Sequence, residues 1–224
     1  MKRVRLKQTV LGLVITAFVF LSYQAMPVAA IWSGSFSDPF EYGDDGESTY
    51  VPTSYATESV GTCEVRITQR AFLSSYATGA NGWAWVGSDL EMDETVTALW
   101  CMSVTWNLDY RIASVNDFPW DTGNEIKLEV IYQVYNSQGA KLQEKVAWSE
   151  LYQAKTYWDD VEGQIDRTIE KTFGVNLYNN YAYTFRVMLK VTILDAGWMY
   201  QCSASSDTGE HAILTVEEID FYVP

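Results

Sequence analysis

Five tryptophans lie beside turn residues or near the ends of predicted strands, where a ligand could reach their rings. They are Trp83, Trp85, Trp120, Trp158 and Trp198. Exposed aromatic faces stack on the apolar faces of sugar rings or anchor protein partners. The alternative is that long loops fold back and bury these rings in satellite clusters. We take the five as candidate ligand-binding residues.

Two pairs of carboxylates are candidates for hydrolytic chemistry. Glycoside hydrolysis needs two carboxyl groups roughly 5–10 Å apart. Glu125 and Glu129 lie on one predicted strand, and Glu217 and Glu218 flank a predicted β-bulge. Because acids on the wet face of a strand usually only solvate it, we assign no catalytic residue.

Histidine chemistry is limited to one residue, His211, which lies in a polar segment. A serine triad needs a base and a nucleophile, and the G-x-S-x-G motif of many hydrolases is absent from the sequence. We therefore expect His211 to be a solvated loop residue. An enzyme such as a jelly-roll glycosidase or lyase ranks last among three functional alternatives.

Acidic loops raise the question of a metal ion. Residues 44–47, 89–94 and 207–210 could offer oxygen ligands to calcium, although none of the three matches an EF-hand loop. Turns are rich in Asp for backbone reasons alone. No cofactor is predicted, and a structural calcium is kept as an alternative.

The three cysteines, Cys63, Cys101 and Cys202, fit neither a zinc motif nor a C-x-x-C redox pair. Cys63 is in phase with apolar neighbours, which suits a buried, unpaired thiol. In an oxidising compartment the other two could pair. We predict a Cys101–Cys202 disulfide.

The N-terminus has the three parts of a secretory signal peptide. Residues 1–7 are basic, residues 9–21 are apolar, and small residues precede Ile31. The alternative is a membrane anchor, but thirteen apolar residues span only about 20 Å of a ~30 Å hydrocarbon core. We predict cleavage near Ala30, a secreted protein at the cell exterior, and no transmembrane segment after cleavage.

The charge of the chain excludes some partners. Removal of residues 1–30 takes away four positive charges and no acid, which changes the net charge from −14 to −18. A surface this negative repels phosphate backbones and anionic lipids. Nucleic acid is therefore not an expected partner.

Residues 31–61 have the composition of an acidic extended tail, rich in Ser, Gly, Asp, Glu and Thr without a sustained period. This segment could be a linker. It could instead add a strand to another subunit, with Phe36 and Phe40 as pocket anchors.

Period-two alternation begins at Thr62 and indicates half-buried strands. The longest series runs from 96 to 110 and predicts that Trp100 and Trp106 are core residues. Similar series cover 126–134 and 181–193, and a turn is predicted at 136–139. Residues 164–173 fit either a helix or an edge strand, and we prefer the strand.

These observations predict an all-β fold, an antiparallel β-sandwich of jelly-roll type with about 7–9 strands, in a domain spanning 62–224. The predicted function is non-catalytic recognition outside the cell, with polysaccharide as the best ligand class. The second alternative is a cell-surface or filament subunit that self-assembles, or binds another surface protein, through its N-terminal tail.

Overall fold

Twelve β-strands make up the regular structure of the described residues. A computed structural model of the protein describes residues 32–37, 40–48, 53–57, 61–70, 80–116, 125–153, 158–195, 200–204 and 211–224. The strands are β1 (Ser33–Ser37), β2 (Tyr42–Ser48), β3 (Thr53–Thr57), β4 (Thr62–Arg70), β5 (Ala80–Glu91), β6 (Trp100–Asn116), β7 (Glu125–Asn136), β8 (Lys141–Gln153), β9 (Trp158–Phe173), β10 (Ala182–Asp195), β11 (Tyr200–Ala204) and β12 (His211–Tyr222).

The strands form two antiparallel sheets that pack against each other. One has seven strands in the order β1-β12-β4-β11-β6-β9, with β3 paired to β4; the other has five, in the order β2-β5-β10-β7-β8. The predicted antiparallel sandwich is confirmed. The strand number exceeds the predicted range because four short strands, β1, β2, β3 and β11, come from segments with no sustained alternation.

Alternating side chains decide which face of β6 is buried. Trp100 and Trp106 are 0% and 1% exposed, as the period-two pattern predicted. The strand begins at Trp100 rather than at Val96, because Val96 forms an isolated bridge with Leu177 instead of extending the ladder.

Aromatic rings fill the space between the sheets. Trp100 stacks on Phe173 with ring centroids 4.7 Å apart, and the rings of Phe185 and Phe221 lie 4.4 Å apart. Pairs of this kind stabilise a fold beyond the area that they bury. The largest side chains of both sheets therefore form one continuous core.

A chain of hydrogen bonds joins buried polar atoms of the two sheets. Trp106 Nε1 donates to the Tyr132 hydroxyl at 3.1 Å, and that hydroxyl donates to the Ile169 carbonyl at 3.1 Å. Since an unpaired buried polar group is costly, this chain of hydrogen bonds fixes how the two sheets face each other.

The ambiguous segment 164–173 belongs to the edge strand β9. Ile165 and Ile169 pair with core positions of β6, but Arg167, which lies between them on the same face, pairs with Trp106. Polar residues at alternate inward positions of this edge strand produce an apparent four-residue period. Gly163 occupies another inward position, where a Cβ would overlap the Tyr110 ring.

The described strands of the predicted tail are part of the sandwich. β1 pairs with β12 and β2 pairs with β5 of the same chain. Phe40 is 3% exposed, and the Phe36 ring lies 5.3 Å from the Phe221 ring. Both proposed anchors are thus used inside the chain, and the compact unit begins at Trp32 rather than at residue 62. One interior-facing residue of β1 is Gly34, which has no side chain, so this strand shows no alternation of apolar and polar residues in the sequence.

Two local predictions agree with the structure. The register of β12 against β6 shifts between Val216 and Glu218, which leaves Glu217 as the extra residue of a bulge. The β7–β8 turn has Gly139 at φ 74°, a left-handed conformation that glycine adopts without strain.

The predicted signal peptide, residues 1–30, lies outside the described residues. In the described part of the chain, no helix has the length and apolar character needed to cross a membrane.

Candidate functional site

The outer face of the five-stranded sheet carries large aromatic side chains. In β5, Ala84 and Val86 are fully buried in the core. Trp83 and Trp85 alternate with them along the strand and therefore point to the opposite face of the sheet. Trp85 is nevertheless only 6% exposed. Other side chains on the outer face must therefore cover its ring.

Arg186 provides much of that cover. Its guanidinium carbon lies 3.7 Å from the centroid of the Trp85 ring and 4.0 Å from that of the Tyr135 ring. A cation held over an aromatic face is stabilised by about 0.5–2 kcal/mol. Three neighbouring strands, β5, β10 and β7, each supply one member of this stack.

The guanidinium group of Arg186 is partly buried. Burial lowers the pKa of the guanidinium, and Tyr135, Asp44 and Asp89 act in the opposite direction. Among the described residues, its Nε atom has no hydrogen-bond partner. Ring stacking, together with the nearby acids, therefore keeps this cation in place.

Two further rings extend the surface towards the sheet edge. Trp83 is half-buried, and its ring lies over Gly46 of β2, where a Cβ would overlap it. Tyr42 is 45% exposed and pairs in register with Gly87. We call the surface formed by Tyr42, Trp83, Trp85, Tyr135 and Arg186 the aromatic face.

Polar groups beside the aromatic face are fixed by hydrogen bonds. Gln133 is 3% exposed; its amide nitrogen donates to Glu144 at 3.3 Å, and its oxygen accepts from the Tyr135 hydroxyl at 3.4 Å. Lys141 Nζ lies 2.5 Å from the same Glu144 carboxylate. The hydrogen bond from Lys141 lowers the pKa of Glu144.

A second ion pair lies on the same side of the sheet. Lys127 Nζ is 2.6 Å from the Glu129 carboxylate, and Glu129 is 8% exposed. These two lysines each face an acid, so their charges are balanced locally.

The predicted tryptophans fall into three groups. Trp83 and Trp85 lie together on the aromatic face, although Trp85 is covered rather than open. Trp158 opens β9 and pairs with Val115, and only its backbone is described. Trp120 and Trp198 lie outside the described residues.

Sequence analysis missed Tyr135 and Arg186. Both occupy positions of their strands that alternate with core residues, such as Val134 and Phe185. That alternation places them on the outer face, but it says nothing about which strands are neighbours. Contact between Arg186 and the two rings depends on a sheet order that the sequence pattern does not contain.

The predicted Cys101–Cys202 disulfide is not formed in this structure. Cys101 is a free, buried thiol, as is Cys63. Cys202 pairs in register with Ser114, thirteen residues along β6 from Cys101. That separation is about 43 Å along a strand, far beyond the ~7 Å Cα limit for a disulfide. Spacing in the sequence could not reveal this register.

The two candidate pairs of carboxylates lie on different sheets. Glu125 and Glu129 belong to β7 of the five-stranded sheet, whereas Glu217 and Glu218 belong to β12 of the other sheet. Glu217 lines a recess of 330 Å³ together with Asp166 and Arg167. The four acids are thus divided between opposite sheets.

The histidine and the acidic loops make no metal site in the described structure. His211 begins β12, and its Nε2 lies 3.5 Å from the Asp109 carboxylate. Within the described residues, no three His, Cys, Asp or Glu side chains are grouped as a metal ion would require. The acidic loop at 207–210 lies outside those residues.

Comparison with known proteins gives weak structural likenesses. No family model and no curated protein matches the sequence. Among solved structures, TmCBM61 in complex with β-1,4-galactotriose is 8% identical, with 83% of this chain and 90% of that chain covered and a TM-score of 0.23. The family 11 carbohydrate-binding module of a Clostridium thermocellum cellulosomal cellulase is 11% identical over 88% and 89%, with a TM-score of 0.22.

A viral structure gives a likeness of the same size. Infectious bursal disease virus, Gx strain, is 8% identical, with 86% of this chain and 42% of that chain covered and a TM-score of 0.22. Scores of this size establish neither a family nor a ligand for this chain. The functional argument therefore depends on the side chains of the described residues.

Proposed function

We propose that this protein is an exported, non-catalytic module that binds polysaccharide on the aromatic face. The observation that carries the proposal is the stack of Trp85, Arg186 and Tyr135 on a sheet face that points away from the core. A sandwich does not need aromatic rings on that side in order to fold, because its core already lies on the other side of the sheet.

The chemistry of the surface suits a sugar chain. A pyranose ring has an apolar face that stacks on aromatic rings, and its rim of hydroxyl groups both donates and accepts hydrogen bonds. Half-buried Trp83 and exposed Tyr42 supply rings that a ligand can reach. Gln133, Glu129 and Glu144 supply oriented polar groups beside them.

Electrostatics favour an uncharged polysaccharide over an acidic one. Lys127 and Lys141 are each held by an acid, and Asp44 and Asp89 act on Arg186. Because these cations are already neutralised locally, they offer little attraction to uronate or sulfate groups. We therefore infer that neutral chains bind better than anionic ones.

Rigid placement of the rings adds to affinity. The network that joins Lys141, Glu144, Gln133 and Tyr135 orders these side chains before a ligand arrives. Side chains that are ordered in advance lose less conformational entropy on binding. The aromatic face therefore needs little rearrangement to hold a ligand.

Affinity electrophoresis tests the proposal. The mature protein is run in gels that contain neutral β-glucan, xylan or galactan, or acidic polygalacturonate. We expect retardation by at least one neutral polymer and loss of that retardation in Trp83→Ala. Tyr222→Ala is the matched control, since it removes an aromatic ring from the outer face of the other sheet.

Thermal unfolding of each variant separates binding from folding. If Trp83→Ala does not fold, Tyr42→Ala replaces it, because Tyr42 is 45% exposed and can be truncated without a core cavity. Retardation by none of the polymers, or equal retardation of the wild type and a folded Trp83→Ala or Tyr42→Ala variant, would contradict the proposal.

Export is the second part of the proposal and is supported by residues 1–30, with their basic start, apolar centre and small residues before Ile31. Mass spectrometry of the protein recovered from the culture medium tests it. A chain that begins at Ile31 is the expected product. Recovery of the full chain from the cytosol, with the leader intact, would contradict export.

A further inference from the structure

A second recess lies at one end of the sandwich, between the β7–β8 turn and the segment that joins β9 to β10. Its volume is about 540 Å³, within the range of small-molecule sites. We call this recess the end cleft. Ten residues line it, among them Asn136, Gln138, Asn176, Tyr178, Tyr181 and Tyr183.

The segment that forms one wall of the end cleft is held firmly. Leu177 is fully buried and exchanges two backbone hydrogen bonds with Val96, at 2.8 and 2.9 Å. Asn180 N donates to the Met92 carbonyl at 2.8 Å, and Met92 N donates to the Tyr181 carbonyl at 3.0 Å. This wall is therefore a preformed surface.

Two tyrosines project from that wall into solvent. Tyr178 and Tyr181 are 48% and 59% exposed, and their ring centroids lie 6.5 Å apart at an interplanar angle of 67°. Tyr183 supports them from below, since its hydroxyl accepts from Tyr178 N at 3.0 Å. The two adjacent rings form a small apolar patch, and contiguous apolar patches commonly mark interaction sites.

The opposite wall offers amide groups. Asn136 fixes the turn by accepting hydrogen bonds from Gln138 N at 3.1 Å and Ala140 N at 2.8 Å. Across the cleft, the Asn176 amide donates to the Tyr178 hydroxyl at 3.4 Å. The polar part of the lining thus consists of amides and hydroxyls that can donate and accept.

We propose that the end cleft is a second binding site, separate from the aromatic face, and that its ligand is an uncharged saccharide. The ten lining residues include no charged side chain, so a charged ligand would enter without a counter-charge. Groups that both donate and accept match sugar hydroxyls, which do the same.

A proline-rich peptide is the competing occupant, because such peptides dock in aromatic-lined grooves. The steep angle between Tyr178 and Tyr181 prevents both rings from lying flat beneath one extended ligand. One exposed ring face is enough for a single pyranose. The geometry therefore favours the sugar.

The end cleft shares no residue with the aromatic face. Tyr135 belongs to the aromatic face, whereas the next residue, Asn136, belongs to the cleft. Neither site provides a group that the other requires. The two proposals can consequently succeed or fail independently.

The test is an NMR titration of the mature protein labelled with ¹³C in its tyrosine rings. Tyr178→Phe and Tyr181→Phe assign the two resonances. Cellobiose, xylobiose, galactobiose and a proline-rich decapeptide are added separately at millimolar concentration. We expect at least one disaccharide to shift the Tyr181 resonance, and the peptide to leave it unchanged.

Variants then measure the contribution of the ring. Tyr181→Ala should weaken the binding of that disaccharide about tenfold, the effect of losing one central ring contact. Tyr181→Phe keeps the ring and should bind within about threefold of the wild type, and Tyr222→Ala, on the outer face of the seven-stranded sheet, should bind as the wild type does. If Tyr181→Ala fails to fold, Tyr178→Ala takes its place.

Two results would overturn the end-cleft proposal. They are no shift of the Tyr181 resonance with any of the sugars, whether or not the peptide shifts it, and unchanged sugar affinity in a folded Tyr181→Ala or Tyr178→Ala variant. If Trp83→Ala loses sugar binding while the tyrosine variants keep it, the aromatic face is the saccharide site and the end-cleft proposal is wrong.

Discussion

The outer faces of the two sheets differ although both sheets serve the same core. On the seven-stranded sheet, the outward positions of β6 carry short polar side chains, among them Ser103, Thr105 and Asn107. Paired strands add acids such as Asp166 and Glu170. Most of this composition is that expected of a face exposed to water, although two outward residues, Glu64 and Cys101, are only 2% exposed.

The outer face of the five-stranded sheet departs from that composition. Trp85, Ile131, Gln133 and Glu129 are all under 9% exposed there, although they lie outside the core cluster. Larger neighbours such as Arg186 cover them. This face therefore carries a second ordered layer of side chains, which solubility alone does not require.

The largest expected difference in stability is between variants of the core tryptophans and variants of the tryptophans on the aromatic face. Trp100→Ala removes a fully buried ring and should lower the free energy of unfolding by about 3–5 kcal/mol. Trp83→Ala should cost under about 2 kcal/mol, because Trp83 is half-buried. Urea unfolding measures both. Equal losses would mean that the aromatic face is part of the core.

Arg186 tests whether stacking organises the aromatic face. Arg186→Met fills similar space without charge and should lower the free energy of unfolding by about 1–2 kcal/mol, the size of two partly exposed cation–π contacts. The free energy of unfolding of Arg186→Lys should lie between those of the wild type and Arg186→Met, because an ammonium keeps the charge but lacks the planar guanidinium. Urea unfolding ranks the three proteins. A lysine variant as stable as the wild type would show that charge alone suffices.

A pair of glycines compares the two sheets directly. Gly46→Ala adds a methyl group where the Trp83 ring lies, whereas at Gly34, on the seven-stranded sheet, the added Cβ meets only ordinary contacts at 3.9 Å. We expect the first variant to displace the ring and weaken polysaccharide binding about fivefold, or ~1 kcal/mol. Affinity electrophoresis of both variants is the measurement. Equal binding by both would contradict the position assigned to the ring.

The smallest effect is a pH dependence of the ion pair beside the aromatic face. The hydrogen bond from Lys141 lowers the pKa of Glu144 in the folded protein. The pair therefore stabilises the fold at pH values above the ordinary pKa of a glutamate, and this contribution is lost as the pH falls through the lowered pKa of the folded state. Both side chains are nearly half exposed, so the contribution is under about 0.5 kcal/mol. It should fade below about pH 4.3.

Lys141→Met is the control for that titration. The wild type should lose more stability than this variant between neutral pH and pH 3, as followed by urea unfolding at each pH. Parallel pH profiles would mean that the pair contributes nothing measurable.

Sequence patterns predicted the central strands β4, β6, β7, β10 and β12, missed the central strands β5 and β11, and predicted the edges poorly. The alternation around Trp100 and Trp106 predicts β6 because every inward residue is apolar. β9 and β1 lie at sheet edges, where inward positions such as Arg167 and Gly34 need not be apolar. Period-two reasoning weakens wherever the neighbouring layer is incomplete.

The candidate site was predicted in part for a similar reason. Trp83 and Trp85 could be singled out by residue type. Arg186 and Tyr135 are ordinary outward residues until the order β5-β10-β7 brings them together. The predicted Cys101–Cys202 disulfide was wrong for the same reason, because the register between distant strands decides which residues can meet.

Indole ¹⁵N–¹H spectra of the mature protein, recorded during titration with the retained polysaccharide, decide whether the ligand lies on the aromatic face. We expect the Trp83 and Trp85 resonances to shift with ligand, while those of the core residues Trp100 and Trp106 stay in place. Saturating binding that leaves Trp83 and Trp85 unmoved would contradict the proposed site.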